Sequence, residues 1–112
     1  MKIAIPVAGG KLCAHFGHCE LFALVDVDET AKKILKKEEL PAPPHQPGLL
    51  PGWLKQQGAD MVIAGGMGMR AQEFFGQMGI KVLVGAPSDT PEKVIDAWLQ
   101  DNLVIGGNIC DH

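Results

Sequence analysis

An α/β fold follows from three features of the chain. Apolar runs of strand length stand at residues 21–27, 60–64 and 80–84. Apolar residues at helical spacing stand between the last two and after them, and short glycine- or proline-bearing loops separate the segments. Strands alternating with helices across short loops are the pattern of a parallel sheet covered by helices, joined by right-handed crossovers.

Each element has its own signal. Residues 2–7 alternate briefly, reach Pro6 and run into Gly9-Gly10, which predicts a short strand and a loop. Leu21-Phe22-Ala23-Leu24-Val25-Asp26-Val27 is rich in branched and aromatic residues and predicts a second strand, followed by a turn at Asp28-Glu29-Thr30. The next stretch admits two readings. Ala31, Ile34, Leu35 and Glu38 fit a helical face, and Lys and Glu favour helix; a lysine-bearing edge strand completing a hairpin is the alternative. The residues alone lean toward helix.

Five of the eight prolines lie between Pro41 and Pro51, which predicts a stiff surface loop containing His45. Leu50, Trp53 and Leu54 then give a short helix closed by Gly58. Asp60 to Ala64 reads as a buried strand, Gly65-Gly66-Met67-Gly68 as a glycine turn, and Ala71, Phe74, Phe75 and Met78 as the inner face of a second helix. Ile80 to Val84 is another buried strand. Thr90-Pro91 supplies an N-cap and first-turn proline to a third helix, whose inner face carries Val94, Ile95 and Trp98. Leu103-Val104-Ile105 is short and extended.

The 112 residues make one domain, 1–112, and the 46% hydrophobic and 21% charged content is that of an ordinary globular chain. With 10 Lys+Arg against 13 Asp+Glu there is no basic face for nucleic acid. The longest apolar runs fall far short of the roughly 20 residues of a membrane span, and the N-terminus lacks the apolar core of a signal peptide. A cytoplasmic protein is expected. Three cysteines in a reducing compartment argue against a disulfide framework and leave thiols for metal or redox chemistry.

In parallel sheets ligands bind at the carboxyl ends of the strands. The loop after the first strand carries Cys13, His15, His18 and Cys19, four soft or borderline donors within seven residues. Their spacing is not the Cys-x2-Cys of a structural zinc knuckle, and packed or idle side chains are the competing account, most of all for Cys19 beside the strand. An extended tail from residue 102 is long enough to return Cys110 and His112 to the same rim. His45 is a further candidate as a ligand or lid residue. Gly65-Gly66-Met67-Gly68-Met69-Arg70 follows a strand and opens a helix, so the amides near Gly66 and Gly68, with Arg70, would attract an anion. Close helix-strand packing accounts for the glycines equally well. The Lys-Ser/Thr pair of a P-loop is missing. Met67 and Met69 are better placed in the core than as sulfur donors.

Pro6 with its following glycines, His15-Phe16-Gly17 leading to Phe22, Gly65-Gly66-x-Gly68 and the Gly107-Asn108-x-Cys110 tail together resemble the dinitrogenase iron-molybdenum cofactor-binding family over nearly the whole chain. That resemblance implies a ribonuclease H-like five-stranded mixed sheet in the order 3-2-1-4-5, with the second strand antiparallel and residues 31–40 as the edge strand. Lysines suit an edge and the preceding turn is in place, so the strand is expected over the helix. It also implies non-catalytic carriage of a metal or metal-sulfur cluster of iron or molybdenum in cofactor biosynthesis. Copper and zinc are compatible with the donors, and cluster-assembly proteins or an ATPase are the implied partners. His15 matches the family's histidine motif; Cys13, His18, Cys110 and His112 rest more on their own chemistry. A nuclease is not expected, since residues 2–7 hold no carboxylate and Asp60 stands at the wrong end of its strand.

Overall fold

The structure, a computed structural model, describes residues 1–16, 19–43 and 49–106. Among the described residues, six strands and three helices follow in the order β1 (Lys2–Ala8), β2 (Lys11–Leu12), β3 (Leu21–Asp28), β4 (Lys33–Pro41), α1 (Leu49–Gln56), β5 (Met61–Ile63), α2 (Met69–Gln77), β6 (Lys81–Leu83) and α3 (Pro91–Leu99). They form one open mixed sheet in the order β4-β3-β1-β5-β6, with β2 paired to β1. β1, β5 and β6 run parallel, while β3 is antiparallel to both β1 and β4.

Side-chain alternation divides the core into two layers. Ile3, Ile5 and Val7 of β1, Ala23, Val25 and Val27 of β3, and Met61 and Ile63 of β5 face α3 and meet Val94, Ile95 and Leu99. Ala4, Phe22, Leu24 and Val62 point the other way, onto Leu50 and Leu54 of α1 and Phe75 of α2. Each central strand is therefore apolar on both faces, which is why its sequence reads as an unbroken hydrophobic run.

The sheet departs from expectation in its strand count and at β6, and agrees with it at the edge strand. It has six strands, because the chain returns after Gly9-Gly10 as the two-residue β2. Residues 33–41 form the edge strand that the resemblance implied, not the helix toward which the residues alone leaned. The Asp28 carboxylate accepts the amides of Thr30 and Ala31 at 3.0 Å each and turns the chain. Eight residues of β4 then pair with β3, a ladder that outweighs weak helical propensity. β6 lies at an edge, so Lys81 is exposed and Val82 and Leu83 only half-buried. On α2, Phe75 is fully buried but Phe74 is not.

Thr90 caps α3, its hydroxyl accepting the Lys93 amide at 3.4 Å with Pro91 in the first turn. Asp60 accepts the Lys2 amide at 2.9 Å, at the strand end remote from the parallel carboxyl termini. Among the described residues no helix is long and apolar enough to cross a membrane.

Candidate metal centre

The segment bearing Cys13 and His15 is built as a strand return. Gly9 and Gly10 have φ of +62° and +79°, the left-handed pair that a two-residue hairpin needs to match strand twist. This brings Lys11 and Leu12 back against Ala8 and Val7. On β1, β5 pairs only with Ile3 and Ala4, so β2 fills the flank of β1 that β5 leaves open. Leu12 donates its amide to the Asp89 carbonyl at 2.8 Å, and Cys13 donates to Pro6 at 2.7 Å. The chain then shifts neighbours. His15 forms a parallel bridge with Gly66, and the Phe16 amide donates to the Gly66 carbonyl at 2.9 Å.

Apolar packing seats this path. The Phe16 ring lies 5.8 Å from Phe22 and 5.6 Å from Phe75, centroid to centroid, separations of favourable aromatic contact. Gly65 is required on the other side, since a Cβ there would stand 3.1 Å from both the Cα and the carbonyl oxygen of Ala14. The return to β3 is clamped by Glu20. Its carboxylate accepts the Gly9 amide at 2.6 Å, and its own amide donates to Val7 at 2.9 Å.

Within this frame Cys13 is half-buried and His15 exposed. The Cys13 Sγ donates to the His15 carbonyl at 3.2 Å. Cys19 is half-buried and packs against the layer that holds Phe22 and Phe75. The wall opposite is the start of α2. Gly66 belongs to the bridge with His15, Gly68 is the N-cap and offers no side chain to the first amides of the helix, and Arg70 is exposed. Met67 is fully buried, as expected, whereas Met69 is 53% exposed on the first turn of α2 and does not belong to the core.

The rim continues past α2. Gly85, beyond β6, donates its amide to the Gly65 carbonyl at 2.8 Å, and Gly106 donates to the Gly85 carbonyl at 2.7 Å. Four sequence-distant segments are thus joined edge to edge by main-chain bonds. His18, His45, Cys110 and His112 lie outside the described residues. Among the described residues, no three His, Cys, Asp or Glu side chains are grouped closely enough to hold a metal ion. Cys13, His15 and Cys19 by themselves therefore make no closed cage.

The sequence reading missed the hairpin, the Glu20 clamp and the role of Gly85. The Gly9-Gly10 pair between apolar residues signalled the first; nothing local signalled the other two, which depend on partners 11 to 21 residues away.

The model of the family described as dinitrogenase iron-molybdenum cofactor matches residues 1–101. An uncharacterized protein of Methanocaldococcus jannaschii is 32% identical over 85 residues, which cover 73% of this chain and 72% of that one. The crystal structure of PH0822 superposes with a TM-score of 0.86 at 31% identity, covering 94% of each chain. The apo form of the orange protein from Desulfovibrio gigas superposes with a TM-score of 0.75 at 21% identity, covering 96% of this chain and 93% of that one, a likeness of fold.

Proposed function

The chain belongs to the dinitrogenase iron-molybdenum cofactor family, and from that premise we propose that it carries an anionic metal-sulfur cluster, of iron or molybdenum, on the rim of its sheet. The observation that carries this reading is the bridge between His15 and Gly66. It sets a thiol and an imidazole beside a helix start whose N-cap has no side chain to bond its amides. Cys13, His15 and His18 are the principal donors, with Cys19, Cys110 and His112 in reserve.

The donor chemistry fits the cargo. Thiolate and imidazole suit iron, molybdenum, copper and zinc alike. A cluster that brings its own sulfide needs fewer protein donors than a bare ion, which agrees with an open rim. Amides at the α2 N-terminus, around Gly66 and Gly68, and the Arg70 guanidinium offset the negative charge that such a cluster carries. His45 is a further candidate as a ligand or lid residue by its sequence alone. A carrier must release what it holds, and an incomplete donor set on loops serves that better than a closed cage. The protein acts without catalysis in cofactor biosynthesis in the cytoplasm, exchanging the cluster with assembly proteins, an ATPase among them. The same reading classes the sheet as ribonuclease H-like, because β4-β3-β1-β5-β6 with β3 antiparallel remains when β2 is set aside.

Anaerobic reconstitution with ferrous iron and sulfide, with and without molybdate, tests it. Metal-dependent visible absorbance is expected in the wild type and is lost when Cys13, His15, His18 and Cys19 are all replaced by Ala. Undiminished absorbance in that variant overturns the site. The exposed Arg70 beside the Gly68 N-cap favours one rival, an anion-binding regulatory module. In that case Arg70→Ala abolishes phosphate binding while the cysteine and histidine variants retain it.

A further inference from the structure

We propose that the outer edge of β4 is a self-association surface, on which β4 of a second copy of this chain pairs antiparallel about a two-fold axis at Lys37. Among the described residues β4 ends the sheet, with β3 on one side and no strand on the other. The edge is nine residues long and almost wholly exposed. Its outward hydrogen-bonding groups follow from the ladder. The Val27 amide donates to Met1 at 2.9 Å, so the odd-numbered residues of β3 bond to β1 and the even-numbered ones to β4. On β4 the partners of Phe22, Leu24 and Asp26 are Leu40, Glu38 and Lys36, which leaves the amides and carbonyls of Lys37 and Glu39 turned outward. Ala42, donating to the Glu20 carbonyl at 3.1 Å, continues the same alternation.

Charge identifies the occupant. Lysines alone on an edge repel a neighbouring strand, but here Lys36-Lys37 is followed by Glu38-Glu39, a run complementary to itself when reversed. Two identical edges pair antiparallel only about an axis normal to the sheet. Opposing residues then share a face, and residues turned outward must meet residues turned outward. Two registers centred on the charged run satisfy this, one with Lys37 on the axis and one with Glu38. The second sets Glu38 against its own copy at the closer, non-hydrogen-bonded spacing of ~4.5 Å. The first sets Lys37 against its copy at ~5.5 Å, with each ammonium already drawn toward α3 by Glu92 at 3.1 and 3.2 Å. That register also places Lys36 opposite Glu38 of the second copy, twice, on the other face of the sheet. These two side chains are 67% and 44% exposed and only loosely paired within the chain, at 3.8 Å. Leu35, left out of the β3 register between Ile34 and Lys36, lies outside the regular run. A single ladder of this length belongs with the small interfaces, under about 1,200 Å², so the association is weak and depends on concentration. Strands of the two copies run in opposite directions, so their rims stand at opposite ends and the metal reading is not involved.

Sedimentation equilibrium of the full chain over a concentration series, at low and high salt, tests the pairing. The average mass of the wild type should rise toward that of a dimer with concentration and fall back when salt is added. Lys36→Glu and Glu38→Lys each set like charges face to face twice, and each alone should weaken association by at least about 10-fold. Mixed in equal amounts, the two variants should associate like the wild type. The new carboxylate of one then meets the new ammonium of the other, and the native pair survives at the second contact. Lys81→Glu, on β6 at the opposite edge of the sheet, is the control and should leave association unchanged. If either reversal fails to fold, Lys37→Pro removes the outward amide at the axis, where an edge strand tolerates proline, and should abolish the dimer. Three results overturn the pairing: a wild type still monomeric at about millimolar concentration, single reversals that associate as it does, or a mixture that does not recover. The first of these leaves the edge to a strand of another protein or to solvent.

Discussion

The Glu20 carboxylate accepts the Gly9 amide at 2.6 Å and ties the two ends of the donor-bearing segment together. The Glu20 carbonyl also accepts the Ala42 amide at 3.1 Å, so one residue links the hairpin, the start of β3 and the end of β4. Glu20→Ala should lower the unfolding free energy by about 1 kcal/mol, the net worth of an ordinary hydrogen bond, because solvent around the exposed Glu20 offsets the gain from its charge. Glu20→Gln, which keeps an acceptor oxygen, should recover most of it. Urea denaturation of the three proteins measures both, and equal midpoints for all three would remove Glu20 from the account of the loop.

Phe75 is fully buried and shares the layer with Phe22, against which Phe16 also packs. Phe75→Ala should cost ~3–5 kcal/mol, a large part of the stability of a domain this size. Phe16→Ala removes a half-buried ring and should cost less. Its mark is local: faster amide exchange at Phe16, whose bond to Gly66 the ring holds in place.

Gly65 and Gly68 flank the same turn but tolerate a side chain differently. At Gly65 a methyl meets Ala14 backbone at 3.1 Å, whereas at Gly68 nothing lies within 4 Å. Gly65→Ala should therefore destabilise by ~1–3 kcal/mol, as overpacking does, and displace the His15–Gly66 bridge. Gly68→Ala should cost under about 1 kcal/mol, the range for losing a favourable N-cap residue. Amide chemical shifts at residues 14–16 distinguish the two.

Lys37 donates to both carboxylate oxygens of Glu92, at 3.1 and 3.2 Å. That bond first, then a backbone hydrogen bond, holds Glu92 below its ordinary value of 4.5. A carboxylate lowered on folding stabilises the protein above its unfolded pKa and loses that contribution as pH falls through the folded one. Glu92 is 53% exposed, so solvent keeps the effect at ~0–1 kcal/mol. The stability difference between wild type and Lys37→Met should be largest at neutral pH, fade in acid below the range of an ordinary glutamate, and shrink with added salt. A difference that grows in acid would contradict the pairing.

The central sheet was legible because period-two alternation and burial on both faces leave their mark residue by residue, as in Leu21–Asp28. The edge was not. β4 is almost wholly exposed, so it lacks the period-two apolar alternation of a buried strand, and what fixes it is pairing with a strand already laid down. The site divides the same way. The candidate donors Cys13 and His15 announce themselves by side-chain chemistry, but their placement depends on main-chain bonds to Pro6 and Gly66, and a main-chain bond has no letter in the sequence. Glycine is the partial exception, since Gly9, Gly10, Gly65 and Gly85 each stand where another residue would strain or collide.

The path of residues 12–16 is marked out by main-chain bonds to Asp89, Pro6 and Gly66 and by the packing of the Phe16 ring. Those main-chain bonds do not depend on which side chains stand at positions 13 and 15. Carboxylates seated there would favour harder cations, and a second thiolate would favour softer ones, each without rerouting the chain. On the proposed metal-binding reading, a lineage could change its metal one codon at a time on this framework, and a designer could do the same.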